Sequence, residues 1–131
     1  MKEKWTTQKA PVPSPWIAQV SRDDTLGIAY ISGLISQKGQ EIIYGLSAAE
    51  ETRIILENLK TIVTEMGLTM DHIIKTNIFL TDMADFDSMN GVYKEYFNHD
   101  NPPARQCVQA GVWGNLRVEI SSVVVLNNKK H

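Results

Sequence analysis

Two short stretches near the end of the chain carry an arginine and a glutamate on patterns typical of β-strands. The letters PARQCV occupy residues 103–108, and RVEI occupies residues 117–120. Alternation along a strand sends Arg105 and Cys107 to one side of the first stretch and Glu119 to one side of the second. If both strands share a sheet, the guanidinium and the carboxylate can face the same space. We therefore predict a site there, because arginine binds a carboxylate ligand through two parallel hydrogen bonds and a nearby glutamate can move a proton.

Both residues also have structural interpretations. Arg105 and Glu119 could form a cross-strand ion pair at the surface. The ligand-binding interpretation depends on arginine rather than lysine, because the planar guanidinium is bidentate. Glu119 stands among apolar strand residues, so it lies either on a solvated face or in a pocket that raises its pKa and suits it to acid–base work. The residues alone leave these alternatives open.

The remaining candidates carry weaker signals. Cys107 is the single cysteine; a nucleophilic cysteine needs an activating base, and a lone cysteine in a strand is more often a small buried hydrophobe. Further candidates for ligand contact are Ser32, Gly33, Asn90, Trp16 and Trp113. Serine and asparagine more often serve turns and caps, and tryptophan more often anchors a core or an interface.

Composition excludes several classes of function. The chain has 131 residues, 43% of them hydrophobic, which predicts one globular domain over residues 1–131. A net charge of −2 argues against nonspecific nucleic-acid binding. One cysteine and three scattered histidines supply no intrachain disulfide and no metal motif, so no metal site is predicted from them. No apolar run approaches the roughly 20 residues of a membrane span, and we expect a soluble, cytoplasmic protein.

The elements follow the order β-β-β-α-β-α-β-β. Proline-rich residues 1–15 predict an extended lead-in, followed by a strand at residues 16–20, a turn at residues 21–24 and a strand at residues 28–32. Residues 38–40 have the composition of a hairpin turn. The last residues, 127 to 131, are expected to fray.

Two helices should lie on one face of the sheet. The first begins at Ser47, which forms a capping box with Glu50, and ends before Gly67. A strand over residues 71–81 and a second helix over residues 85–97 follow. Because two helices cover one face, the other face, with Phe79, Val123 and Val125 among others, should be buried by association, for which cyclic symmetry is the usual solution.

Several motifs in register resemble the RidA/YjgF family of reactive-intermediate deaminases. The resemblance spans roughly residues 28–125. It is carried by KTNIFLTDMADF at residues 75–86, MN at residues 89–90, YxxYF at residues 93–97, PARQCV at residues 103–108 and VEI at residues 118–120.

The resemblance implies a fold, an assembly and a reaction. The fold is α+β and chorismate-mutase-like, and the assembly is a homotrimer with active sites in the clefts between subunits. The reaction is hydrolysis of a 2-imino acid to a 2-keto acid and ammonia, without metal or cofactor. Arg105 is implied to bind the substrate carboxylate and Glu119 to position water. Ser32, Gly33 and Asn90 are implied to line the pocket, to which Cys107 contributes through its backbone.

The sequence also departs from the family pattern near the pocket. Trp16 stands where the family has a pocket tyrosine, and Trp113 stands in a loop that often carries Leu-Pro. Two tryptophans at one pocket mouth would change its size, which suggests altered substrate preference or weak activity on small imines. The alternatives are a non-catalytic regulatory member that binds small carboxylates, a ribonuclease, and a chaperone acting through the apolar sheet face.

Overall fold

A six-stranded sheet packed against two helices forms the centre of the molecule in the computed structural model, which describes residues 1–126. The strands are β1 (Glu3–Trp5), β2 (Val20–Asp23), β3 (Ile28–Leu34), β4 (Gln37–Lys38), β5 (Glu41–Ile42), β6 (Ile73–Leu80), β7 (Ala104–Gln109) and β8 (Val118–Val125). The helices are α1 (Ala48–Glu65) and α2 (Phe86–Tyr93). The sheet has the order β1-β2-β3-β8-β6-β7, and β4 and β5 form a separate hairpin. The predicted α+β class is confirmed, while the predicted fraying of residues 127–131 lies outside the described residues.

The first 25 residues differ from the prediction. Residues 3–5, assigned to a loosely ordered lead-in, form an edge strand in which Trp5 lies opposite Val20. The strand predicted at residues 16–20 begins only at Val20 and continues to Asp23, over three of the four residues predicted as a turn. The prolines further along the lead-in dominated the prediction, and a three-residue strand is too short to show alternation.

One buried amide fixes the lead-in against the sheet. The Gln19 side chain accepts a hydrogen bond from the Thr7 N–H at 2.8 Å and donates to the carbonyl oxygens of Thr7 and Pro11 at 3.1 and 2.9 Å. Gln19 is buried, so these bonds replace the water that its amide would otherwise bind. Residues 7–11 therefore form a defined wall rather than a loose tail.

The first helix begins and ends as predicted. Ser47 Oγ accepts from the Glu50 N–H at 3.1 Å, and Glu50 Oε1 accepts from the Ser47 N–H at 3.0 Å, which completes the capping box. Gly67 has φ of +79°, a conformation that favours glycine at a helix end. The following N–H of Leu68 donates to the Val63 carbonyl at 2.8 Å.

The second helix is shorter than predicted. Residues 85–97 were expected to be helical, whereas α2 is regular from Phe86 to Tyr93. The next turn tightens, because the N–H groups of Glu95 and Tyr96 donate three residues back rather than four. The strand predicted over residues 71–81 is observed as β6, which begins at Ile73, because Met70–His72 form a short 3-10 helix, and ends at Leu80.

The two faces of the sheet have different environments. Alternate residues such as Ile78 and Val124 are fully buried in the core shared with α1 and α2. Their neighbours Phe79, Val123 and Val125 are only half-buried, on the face that carries no helix. The predicted one-sided arrangement is therefore confirmed. Within the described part of the chain, no helix has the length and apolar character needed to cross a membrane.

Candidate active site

Arg105 and Glu119 share a sheet but lie on opposite faces of it. Strand β6 separates β7 from β8. Arg105 is paired with Thr76 of β6, and Glu119 is paired with Phe79 of the same strand. Thr76 is buried in the helix-covered core, while Phe79, three residues on, points to the other face. The prediction that both side chains face one space is therefore wrong for a single chain.

The register between strands explains this error. Alternation identifies which residues of one strand share a face, but a shift of one residue between strands exchanges the faces. The sequence of β7 and β8 contains nothing that fixes their register to β6. The same geometry removes the alternative that Arg105 and Glu119 form a cross-strand ion pair.

Glu119 borders a cavity of about 310 Å³, which we call the acid-side cavity. Its lining residues are Pro11, Pro13, Ile17, Gln19, Ser32, Gly33, Leu34, Ile35, Gln37 and Glu119. Glu119 is the one charged side chain among them. The cavity thus contains a carboxylate but no cation that could bind an acidic ligand.

The carboxylate of Glu119 lies directly against Gly33. A Cβ atom at Gly33 would stand 2.5 Å from Glu119 Oε2, well inside van der Waals contact. The pairing of β3 with β8 shifts register between Ile31 and Leu34, so the strand bulges where the carboxylate approaches it. Burial raises the pKa of the Glu119 carboxyl above its ordinary value of 4.5, which moves it toward the range useful for proton transfer.

Ser32 lies beside this contact and is held by the chain that precedes β2. Its hydroxyl donates to the Ala18 carbonyl at 2.6 Å, and its backbone N–H donates to the Gln19 carbonyl at 3.1 Å. The hydroxyl oxygen retains acceptor capacity toward a ligand. The structure thus brings Ser32, Gly33 and Glu119 together, as the resemblance implied.

Arg105 borders a second cavity of about 350 Å³, the arginine-side cavity. Its lining residues are Asn90, Tyr93, Lys94, Phe97, Asn98, His99, Pro102, Pro103 and Arg105. Arg105 Nη1 donates to Asn90 Oδ1 at 2.6 Å, and the guanidinium carbon lies 4.8 Å from the Tyr93 ring centroid and 5.5 Å from that of Phe86. Asn90 and two aromatic rings therefore orient the guanidinium, and no carboxylate is present among the lining residues.

Cys107 has the environment of a small hydrophobe. It lies on the same face of β7 as Arg105 and packs against the core. Burial raises the pKa of the thiol, and the opposing effect of the Arg105 charge is smaller. The reactive thiolate form is therefore disfavoured, consistent with the structural interpretation of this residue.

The two candidate tryptophans lie outside both linings. Trp16 is 95% exposed and Trp113 is 65% exposed. The neighbour of the first, Ile17, lines the acid-side cavity instead. Within the single chain, Ile17 rather than Trp16 thus contributes to the wall beside Glu119, and the two tryptophans at one pocket mouth stay a prediction for the assembled protein.

Sequence reasoning missed Glu51, a buried carboxyl on α1. Its Oε1 accepts hydrogen bonds from the N–H groups of Arg117 and Val118 at 2.9 and 3.0 Å. These residues directly precede Glu119, so Glu51 fixes the start of β8. Capping patterns in the sequence drew attention to Glu50, and no local signal distinguishes its buried neighbour. Residues 1–126 contain no cluster of three or more potential metal ligands.

Comparison with known proteins matches the chain to one family model, to named relatives and to solved structures. The family model described as endoribonuclease L-PSP matches residues 7–126. The chain is 35% identical to the 3-aminoacrylate deaminase RutC of Acinetobacter baylyi over 115 residues, covering 86% of this chain and 88% of that protein. It is 34% identical over 129 residues to TdcF of Escherichia coli, whose name assigns it provisionally to the reactive intermediate deaminases, with 95% and 98% covered. Among solved structures, YyfA of the conserved Rid family from Yersinia pestis superposes with a TM-score of 0.87 at 27% identity, covering 95% and 99%.

Proposed function

This chain belongs to the RidA/YjgF family and has its chorismate-mutase-like α+β fold, and we propose that it hydrolyses reactive 2-imino and enamine acids to 2-keto acids and ammonia. Two relatives that carry deaminase names cover most of the chain. What those names state for the relatives supports the same class of activity here. The specific substrate and the roles of individual residues are part of the proposal.

The separation of the two charged groups is the observation that supports the proposal best. The acid-side cavity has a carboxylate and no cation, and the arginine-side cavity has a guanidinium and no carboxylate. A 2-imino acid needs both, because its own carboxylate must be held while water is activated at the adjacent carbon. We propose that Arg105 of one copy completes the acid-side cavity of another, in a homotrimer with inter-subunit clefts.

The mechanism follows from these positions. Arg105 binds the substrate carboxylate, which places the imine carbon against a water molecule held by Glu119. The water oxygen forms a bond to that carbon while Glu119 accepts a proton from it, and the C=N double bond becomes single. Glu119 then returns this proton to nitrogen, and it accepts the proton of the new hydroxyl group as the C–N bond breaks, ammonia leaves and the C=O bond forms. Fixed geometry is the larger contribution, because a protonated imine is already electrophilic.

Removal of the imino acid, which accompanies release of ammonia, tests the reaction directly. Imino acids generated in situ by an amino-acid oxidase are trapped with semicarbazide, and added protein should lower the amount trapped. Arg105→Ala should abolish this effect, since loss of a charged pair to a buried carboxylate costs about 2–5 kcal/mol. If the folded wild-type protein binds 2-keto acids yet accelerates the hydrolysis of no imine, it is instead a regulatory member of the family that binds small carboxylates.

Mixing two inactive variants tests the shared site. Arg105→Ala and Glu119→Gln proteins are unfolded together and refolded, so that the arginine of one can meet the glutamate of the other. Random assembly should restore about a quarter of the sites in a cyclic oligomer. Each variant refolded alone is the control. No recovery in mixed assemblies would show that the two residues do not act across an interface.

A further inference from the structure

We propose that the acid-side cavity binds the substrate's side chain and selects 2-imino acids whose side chains are branched or long aliphatic groups. This inference rests on the proposed function. With the imine carbon beside Glu119 and the carboxylate held by Arg105 of another copy, the remaining substituent faces the wall of this cavity. The precursors of such substrates are the corresponding amino acids, oxidised at the carbon that bears nitrogen.

The wall beside Glu119 is largely aliphatic. Five of the lining residues are apolar, namely Pro11, Pro13, Ile17, Leu34 and Ile35, and Leu34 is the one among them whose side chain also belongs to the core. Aliphatic carbon in contact with such a wall is removed from water, and each buried methylene strengthens binding roughly fourfold. A methyl substituent, as in the imine of alanine, leaves most of this gain unused.

Two polar residues of the lining, Gln19 and Ser32, already use their side-chain donors within the protein. The Gln19 amide uses its acceptor and both donors in bonds to the lead-in. The Ser32 hydroxyl donates its proton to Ala18. A polar side chain entering the cavity would therefore lose hydrogen bonds to water without regaining all of them.

Charge gives a second criterion. Glu119 is the one charged residue of the lining, and its carboxylate repels a second carboxylate brought beside it. Imines of aspartate and glutamate carry such a group in their side chains. These should be the poorest substrates.

The size of the cavity accommodates the proposed side chains. Its volume is about 310 Å³, whereas an apolar cavity of about 150 Å³ is sufficient for a benzene molecule. The side chain of leucine or isoleucine, together with the imine carbon, fits within this space. A smaller group would leave part of the wall without contact, which forfeits dispersion energy.

Ile17 is the residue through which this selectivity is tested. It lines the cavity and is 53% exposed, so its truncation should not unfold the protein. The adjacent Trp16 is 95% exposed and lies outside the lining. Ile17→Ala and Trp16→Ala therefore form a matched pair of neighbouring truncations.

The experiment compares imines generated from leucine, alanine and glutamate in the semicarbazide assay. For the wild-type protein, kcat/KM should be higher by about tenfold or more for the imine of leucine than for the imine of alanine. A few buried methylene groups give a difference in this range. Ile17→Ala should reduce this ratio severalfold, and Trp16→Ala should leave it unchanged. Equal rates for all imines, or a ratio that responds to Trp16 and not to Ile17, would overturn the proposal.

Binding of keto acids separates this inference from the proposed reaction. Calorimetric titration with 4-methyl-2-oxopentanoate and with pyruvate measures side-chain preference without turnover. Tighter binding of the former, weakened in Ile17→Ala, supports the subsite even if no imine is hydrolysed. Rapid hydrolysis together with tighter binding of pyruvate contradicts the subsite and leaves the deaminase activity intact.

Discussion

The acid-side and arginine-side cavities are built in different ways although they belong to one sheet. Glu119 lies near the start of β8, a strand in the interior of the sheet, against the backbone of Gly33, and its environment comes from residues distant in sequence. Arg105 lies on the edge strand β7 and is oriented by side chains of the nearby helix α2. Burial raises the pKa of the Glu119 carboxyl, whereas the Arg105 guanidinium remains exposed and its neighbours only orient it. This difference suits a site in which the glutamate is fixed within its own chain and the arginine reaches a ligand bound by another copy.

Loss of the acid should have the largest effect. Glu119→Gln removes the group that accepts the proton from water, and we expect kcat to fall by about 10²–10⁴-fold, the usual contribution of general acid–base catalysis. Ser121→Ala, two residues on and on the same face of β8, is the control and should retain most of the activity. Comparable losses in both variants would point to damage to the strand rather than to removal of the acid.

The pH dependence of the wild-type protein sharpens this result. Burial raises the pKa of Glu119 above 4.5, and the proposed role needs the ionised form. Activity should therefore decline as pH falls through a midpoint above 4.5. Measurement of kcat/KM across pH 4–8 checks this, and a profile that stays flat to pH 4.5 is incompatible with the assignment.

Displacement of the same carboxylate should have the next largest effect. Gly33→Ala places a Cβ atom 2.5 Å from Glu119 Oε2, so the carboxylate must move, and a shift of about 1 Å in a reacting group can cost about a hundredfold in rate. The control is Gly111→Ala, because a Cβ at Gly111 meets nothing within 4 Å. Circular dichroism of both variants should be unchanged. Full activity in a folded Gly33→Ala protein would show that the close contact has no part in catalysis.

A smaller loss is expected on the arginine side. Asn90→Ala removes the 2.6 Å bond that orients the guanidinium but leaves its charge and both aromatic neighbours. KM should rise about tenfold with little change in kcat, as expected from the loss of one charge-assisted hydrogen bond. Asn98→Ala in the same cavity is the control. A selective fall in kcat would mean instead that Asn90 contacts the reacting atoms.

The smallest effect on activity is expected at Glu51, where the change concerns stability. Burial is the main cause that raises the pKa of Glu51 above 4.5, against its backbone hydrogen bonds and Arg117, so the native state binds the proton more tightly than the unfolded chain. The free energy of unfolding therefore falls as pH rises from 4.5 through the raised value. Glu51→Gln keeps an oxygen acceptor for the two backbone N–H groups and removes the pH-dependent loss of stability. Its midpoint of urea unfolding should therefore exceed that of the wild type at pH 8 and approach it at pH 4. Glu65→Gln, exposed at the end of the same helix, should show no such trend.

The sequence predicted local features better than pairings. The capping box at Ser47 and the left-handed Gly67 were recognised because their signals lie within a few residues. The faces of the sheet on which Arg105 and Glu119 lie were not recognised, because they depend on the register of β7 and of β8 with β6. Ile17 was missed in favour of Trp16: the cavity that Ile17 lines is formed together with Gln19 and Pro11, which are joined by a hydrogen bond across eight residues of the chain.

The position of β8 between β3 and β6 has a consequence for folding. The Glu119–Gly33 contact closes a chain segment of more than 80 residues, and contacts of such separation form slowly because loop closure comes first. During synthesis the emerging chain contains the lead-in, β3 and both helices before β8 exists. The acid-side cavity is therefore completed only when β8 joins the sheet. Until then, a partly folded chain can expose Arg105 while Glu119 has no cavity around it. Recovery of activity during refolding should accordingly lag behind recovery of helical signal.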